Sequence, residues 1–115
     1  MRHRNKVKKL DRKKAPREMM LKNLASSVII YEKVKTTPAK AKAVKSLVEK
    51  MITVAKDGDL NARRKLIKTL PQKKAIEKAF ELGKKYKERK GGYTRIIRIG
   101  KRQGDGAEIV QIEFV

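Results

Sequence analysis

Gly91-Gly92-Tyr93-Thr94-Arg95-Ile96-Ile97-Arg98-Ile99 is where this chain changes its period. Upstream of the glycine pair, apolar residues recur three and four positions apart. From Tyr93 to Ile99, and again from Ile109 to Val115, β-branched and aromatic residues dominate and the period is two, as in strands with one face covered. The segment between them, Gly100-Lys101-Arg102-Gln103-Gly104-Asp105-Gly106, is rich in glycine and charge, so the two runs are predicted to pair as an antiparallel hairpin around a flexible loop. In the last strand Val110, Ile112 and Phe114 are expected to face helices, with Gln111 and Glu113 outward.

The helices lie upstream. Pro16 suits a first helical position, Glu18 faces the positive helix end, and Met20, Leu21, Leu24, Ala25, Val28 and Tyr31 recur at helical spacing, which predicts a first helix over Pro16 to Tyr31. Lys33-Val34-Lys35-Thr36-Thr37 alternates as a short strand and ends in Thr37-Pro38, a cap followed by a helix-starting proline. Val44, Leu47, Val48, Met51, Ile52 and Ala55 then fall on one face of a second helix, opposite Lys42, Lys45 and Glu49. Gly58 stops it and Asp59 caps a third helix carrying Ala62, Leu66, Ile67 and Leu70, which ends before Pro71. A fourth, with Ile76, Ala79, Phe80 and Leu82, is expected to stop at Gly83.

These elements predict an α+β domain: about four helices packed on one face of a small, roughly three-stranded mixed sheet. A chain of 115 residues suffices for one such domain. Residues 1–14 are set apart as a basic arm, with the globular core over 15–115. The arm carries eight basic side chains against Asp11 alone, and only Met1, Val7 and Leu10 are apolar. Such a segment cannot bury itself, and it is expected to stay mobile until a polyanion neutralises it. Fully extended, it reaches roughly 45 to 50 Å.

The whole chain repeats the bias, with 33 Lys and Arg against 12 Asp and Glu, a formal charge of +21. Nucleic acid is therefore the leading partner. No cysteine is present, which excludes disulfides, thiolate metal sites and a thiol nucleophile and fits a reducing interior. Neither a signal-peptide core nor an apolar run of membrane-spanning length occurs, so a soluble, non-exported protein without a membrane partner is expected.

Catalytic groups are scarce. His3 is the sole histidine and lies in the arm, where an RNA contact suits it better than general-base work. The glycines of 100–106 lie between two strands and lack the Gly-Lys-Ser/Thr-helix order of a phosphate-binding loop; Gly104 and Gly106 are better explained by turns with positive φ. No enzyme, metal, cofactor or small-molecule substrate is expected. Lys101 and Arg102 at the hairpin tip are placed to grip a phosphate. Tyr93 beside Gly91-Gly92 has two open readings, a stacking face for a base or a ring packed at the start of a strand.

Met1-Arg2-His3-Arg4, Asn23-Leu24-Ala25, Lys35-Thr36-Thr37 with Lys40-Ala41-Lys42, Ile52-Thr53 with Ala55, Gly91-Gly92-Tyr93-Thr94-Arg95-Ile96, and Gly100, Arg102 and Gly104-Asp105 followed by Ile112-Glu113 together resemble bacterial large-subunit ribosomal protein seventeen. The resemblance runs in order over nearly the whole chain. It implies a cytoplasmic, non-catalytic component of the large ribosomal subunit that binds ribosomal RNA. The implied position is near the peptide exit side, beside large-subunit protein thirty-two. The RNA contacts it implies are Arg2, His3, Arg4, Arg12, Arg17, Arg89, Tyr93, Arg95 and Arg102; Lys35 and Lys101 are added on charge alone. Two departures stand out. Lys14-Ala15-Pro16 replaces a frequent Ser-Ser-His run, and Lys84 follows Gly83 where proline is expected. Rival readings are a nucleoid protein coating duplex DNA, which lacks a recognition-helix motif, and a small nuclease, which lacks the acids and histidines.

Overall fold

The computed structural model describes residues 14–115. The expected arm, with its contact candidates Arg2, His3, Arg4 and Arg12, lies outside the described residues. The elements in chain order are α1 (Lys14–Tyr31), β1 (Lys33–Thr36), α2 (Pro38–Ala55), α3 (Leu60–Thr69), α4 (Lys73–Lys85), β2 (Thr94–Lys101) and β3 (Glu108–Phe114). The α+β class, the helix count and the hairpin match expectation.

Helix α1 spans Lys14–Tyr31 and includes Pro16. Its buried stripe is Ala25, Val28 and Ile29, with Leu21 and Leu24 partly covered. Tyr31, assigned to that stripe from its spacing, is 70% exposed. Glu32 ends the helix in the left-handed region at φ 64°, and its carbonyl accepts the Phe114 amide at 3.1 Å. That bond ties the end of α1 to the end of β3.

Helix α2 behaves as its period dictates: Val44, Val48, Met51, Ile52 and Ala55 are buried. Thr37 occupies the N-cap position, but its hydroxyl makes no capping bond, and Pro38 alone sets the start. Asp59 does cap α3, accepting the Ala62 amide at 2.8 Å. On α3, Ile67 is 56% exposed, so Ala62, Leu66 and Leu70 form the buried face.

Gly83 does not stop α4, which continues to Lys85. A Cβ at Gly83 would lie 3.0 Å from the backbone carbon and oxygen of Ala55. The glycine is there because α4 and the end of α2 touch backbone to backbone.

The sheet has the order β1-β3-β2 and is wholly antiparallel, not mixed. The last strand takes the centre. Register places Val34, Ile112 and Ile96 in one row toward the helices, and Lys33, Glu113 and Arg95 in a row on the outer face. Helices α1 and α2 pack on the sheet, while α3 and α4 pack on α2 and α1 as a second helical layer. Strand β2 runs on to Lys101 through a bulge between Arg98 and Gly100, so the loop begins later than the glycines suggest. Gly104 and Gly106 both take positive φ, as expected of the turn.

The core is aliphatic except at one end, where Tyr86, Tyr93 and Phe114 cluster. Tyr86 lies 5.5 Å from Tyr93 and 6.1 Å from Phe114 between ring centroids.

Candidate nucleic-acid interface

The connection from α4 to β2 is built from polar residues, and α2 anchors it. Glu49 accepts the Gly92 amide at 3.1 Å on one carboxylate oxygen and the Thr94 hydroxyl at 2.7 Å on the other. Lys56 donates to the Arg89 carbonyl, and Arg89 donates through Nη1 to the Gly92 carbonyl at 3.0 Å. The Tyr93 hydroxyl lies 3.3 Å from both Thr53 Oγ1 and the Arg89 carbonyl, and the Lys56 ammonium sits 4.8 Å from the Tyr93 ring centre. Burial alone would push the Tyr93 hydroxyl up, but Lys56 and Thr53 hold it below the usual phenol range. The glycine pair is thus fixed at one place on the surface.

Beside it, α2 and α3 enclose a groove of about 610 Å³. Met51, Val54, Tyr93 and Gly91 line it with Lys50, Lys65 and Lys68 from two helices, and its one carboxylate, Glu49, is occupied by the Gly92 amide and the Thr94 hydroxyl. Three flexible cations over an apolar floor suit a phosphate backbone lying along the groove. A larger recess of about 710 Å³ between the end of α2, α3 and α4 carries Lys56, Arg63, Lys84 and Lys87, but Asp59, Glu77 and Glu81 are interleaved with them. Arg63 there stacks over Phe80 at 5.2 Å.

On the hairpin the basic residues are engaged. Arg95 meets Glu113 at 2.8 Å, Arg98 meets Glu108 at 3.4 Å, and Arg102 meets Asp105 at 2.6 Å. A second bond of 3.1 Å from Arg102 Nε makes the last pair a fork. That fork, with help from the Ala107 amide, pulls the Asp105 carboxyl down from 3.8 to about 2, and the same contact raises Arg102. Hydrogen bonds from Arg95 and Gln111 hold Glu113 low as well. Among the described residues, Lys78, Arg95, Arg98 and Arg102 are the only bases within 4 Å of a carboxylate.

A family profile described as Ribosomal protein L17 matches residues 20–115. The chain belongs to the Ribosomal protein L17 family. It is 48% identical over 109 residues to the large ribosomal subunit protein bL17 of Desulfitobacterium hafniense strain DCB-2, covering 94% of this chain and 97% of that protein. The bL17 of Clostridium acetobutylicum is 49% identical over 94% of this chain and 96% of its own length. That of Staphylococcus epidermidis is 47% identical over 94% and 98%.

Within this L17-family chain the predicted contacts do not converge on one spot. Lys35 is exposed on β1, Lys101 and Arg102 are at the far end of the hairpin, Arg17 is half-buried on α1, and Arg89 is in the turn after α4. Tyr93 is 1% exposed, so its ring packs in the core and offers no stacking face. The forks of Arg95 and Arg102 are already held by carboxylates. Lys50, Lys65 and Lys68 were not singled out. The spacing of Lys65 and Lys68 puts them on one side of α3, but their meeting with Lys50 depends on how α3 crosses α2, which no local pattern encodes.

Proposed function

We propose that this chain is a non-catalytic structural constituent of the large ribosomal subunit, working in the cytoplasm, that binds ribosomal RNA and supports subunit assembly and translation. The observation that carries this reading is the surplus of cations that, among the described residues, no carboxylate engages. Of the 25 basic residues over 15–115, four lie within 4 Å of a described carboxylate. Surplus charge of this size destabilises a free compact chain by self-repulsion and stabilises its complex with a polyanion by counterion release. Its relatives named bL17 are large-subunit proteins.

The chain is read as one RNA-binding domain spanning 1–115. Residues 1–14 are read as its basic arm and 15–115 as its globular core. Arg2, His3, Arg4 and Arg12 in the arm, with Arg17, Lys35, Arg89 and Lys101 on the core, are proposed RNA contacts, and the lysine groove of Lys50, Lys65 and Lys68 joins them. Neighbouring ribosomal proteins are partners too; protein thirty-two is proposed on the family resemblance.

Deleting residues 1–13 tests this. Seven of those residues are basic. The melting transition of the core is expected to stay in place, while the log–log salt slope of ribosomal RNA binding becomes shallower by up to roughly 6 if every removed base contacts a phosphate. An unchanged slope would rule out RNA contacts by the arm.

A further inference from the structure

The charge of the chain is unevenly divided. Residues 94–115, the β2–β3 hairpin, hold four basic and three acidic side chains, so the first 93 residues carry nearly all of the excess. All three hairpin acids are paired within the hairpin, each to its own arginine: Glu113 to Arg95, Glu108 to Arg98 and Asp105 to Arg102. Lys101 is left over. A phosphate docking on the strands would have to displace a carboxylate from Arg95 or Arg98, which makes the strands less suited to RNA than the tip, where Lys101 stands.

The same region exposes apolar side chains and an unpaired edge. Ile97 is 37% exposed and Ile99 48%, and Ile109 is half-buried. By the register, Ile97, Gln111 and Lys35 share the outer face of the sheet, opposite the covered row of Val34, Ile112 and Ile96. Strand β2 is hydrogen-bonded to β3 on one side only. Among the described residues its other side has no strand partner, and it presents a ready template for another strand.

The opposite edge, β1, is only four residues long and carries Lys33 and Lys35, the usual device against strand addition. Strand β2 has eight residues, and its arginines are neutralised. The bulge between Arg98 and Gly100 breaks the regular edge, so the open stretch is Thr94–Arg98.

We infer that the free edge of β2 receives an extended, apolar and largely uncharged segment of a neighbouring protein, which adds as a fourth strand along Thr94–Arg98 and covers Ile97. Main-chain hydrogen bonds supply the affinity and Ile97 the apolar contact. A second copy of this chain is disfavoured, because two antiparallel β2 strands would bring Arg95 and Arg98 against like charges, and chains of +21 repel one another. The inference rests on the reading that the chain resides in a ribonucleoprotein particle with protein neighbours.

The test places a photoreactive benzophenone amino acid at position 97 of the full chain, assembled into purified large subunits, with a second sample carrying it at Lys68. Irradiation is expected to join position 97 to one other ribosomal protein, within an apolar extended peptide, and position 68 to RNA. A cross-link from position 97 to RNA, to a second copy, or to nothing would overturn the inference. A protein cross-link at 97 without RNA at 68 would instead overturn the RNA reading of the lysine groove and leave this inference standing. In a companion variant, Ile97→Lys with the photoreactive group moved to position 99, the protein cross-link is expected to fall about tenfold while the melting temperature of the free chain is unchanged. An undiminished yield would also overturn it.

Discussion

Glu49 accepts the Thr94 hydroxyl at 2.7 Å, joining the middle of α2 to the first residue of β2 across 45 positions of sequence. Its second oxygen holds the Gly92 amide. One carboxylate thus adds a polar tie between the hairpin and α2 to the apolar packing of Ile112 and Phe114 in the shared core. Glu49→Ala leaves the Thr94 hydroxyl, on a residue 4% exposed, without its acceptor, and is expected to cost about 1–3 kcal/mol in thermal unfolding. Thr94→Val removes the buried hydroxyl itself and leaves the partly exposed Glu49 carboxylate to solvent, and should cost less. A double-mutant cycle is expected to give a coupling of about 1 kcal/mol; additive effects would mean the bond does not contribute to stability.

Gly83 is expected to reject even a methyl group. The atoms a Cβ would meet at 3.0 Å belong to the Ala55 backbone, so α4 must shift away from α2 to admit it. Overpacking of this kind costs about 1–3 kcal/mol. Alanine gains up to about 1 kcal/mol over glycine in an exposed helix. The packing term is the larger, so Gly83→Ala should lower the urea midpoint with an unchanged m value. A raised midpoint would mean that the two helices have slack.

Ser26 presents the opposite case. It is fully buried on α1, and its hydroxyl has no hydrogen-bond partner among the described residues. A buried hydroxyl left unpaired costs about 1–3 kcal/mol in desolvation. Ser26→Ala removes that cost, keeps the small size, and improves helix propensity by a few tenths of a kcal/mol. The variant is expected to melt higher than the parent. A drop in melting temperature would indicate a bound water that satisfies the hydroxyl.

The sequence is most legible where period alone decides burial. Val44 to Ala55 and Val110, Ile112 and Phe114 face inward as their spacing requires. It is less so where a residue's role depends on a distant segment. Tyr31 fits the helical period of α1 yet, as the last residue of that helix, is exposed. Gly83 reads as a stop signal because glycine is the usual C-terminal residue, but here it answers a contact with Ala55 that is 28 positions away. The hairpin was apparent from Tyr93 to Val115, whereas the antiparallel place of β1 beside β3 depends on three intervening helices. Among candidate contacts, charge marked Arg95 and Arg102 correctly as cations. It could not show that Glu113 and Asp105 had already claimed them.

The Arg102–Asp105 fork gives the hairpin tip a defined acid limit. The Asp105 carboxyl titrates at about 2 in the folded chain, below its ordinary 3.8, because Arg102 donates to it and the Ala107 amide assists. A depressed carboxyl is fully ionised above the unfolded value, so the fork is intact from about pH 5 upward. Between the two values the unfolded chain binds the proton first, and the contribution of the fork disappears as pH falls toward 2. The pair is exposed, so the effect is on the order of the turn more than on global unfolding. Carbon-detected NMR titration should find the Asp105 carboxyl near 2, and Arg102→Gln should return it toward the ordinary range. A parent value already near 3.8 would mean the fork does not persist in solution. At neutral pH, Asp105→Asn removes the charge that holds the guanidinium. Arg102 then becomes free for a phosphate, and RNA binding is expected to tighten with a salt slope steeper by about 1. If binding and slope stay as in the parent, the hairpin tip lies away from RNA, and Arg102 serves only to shape the turn.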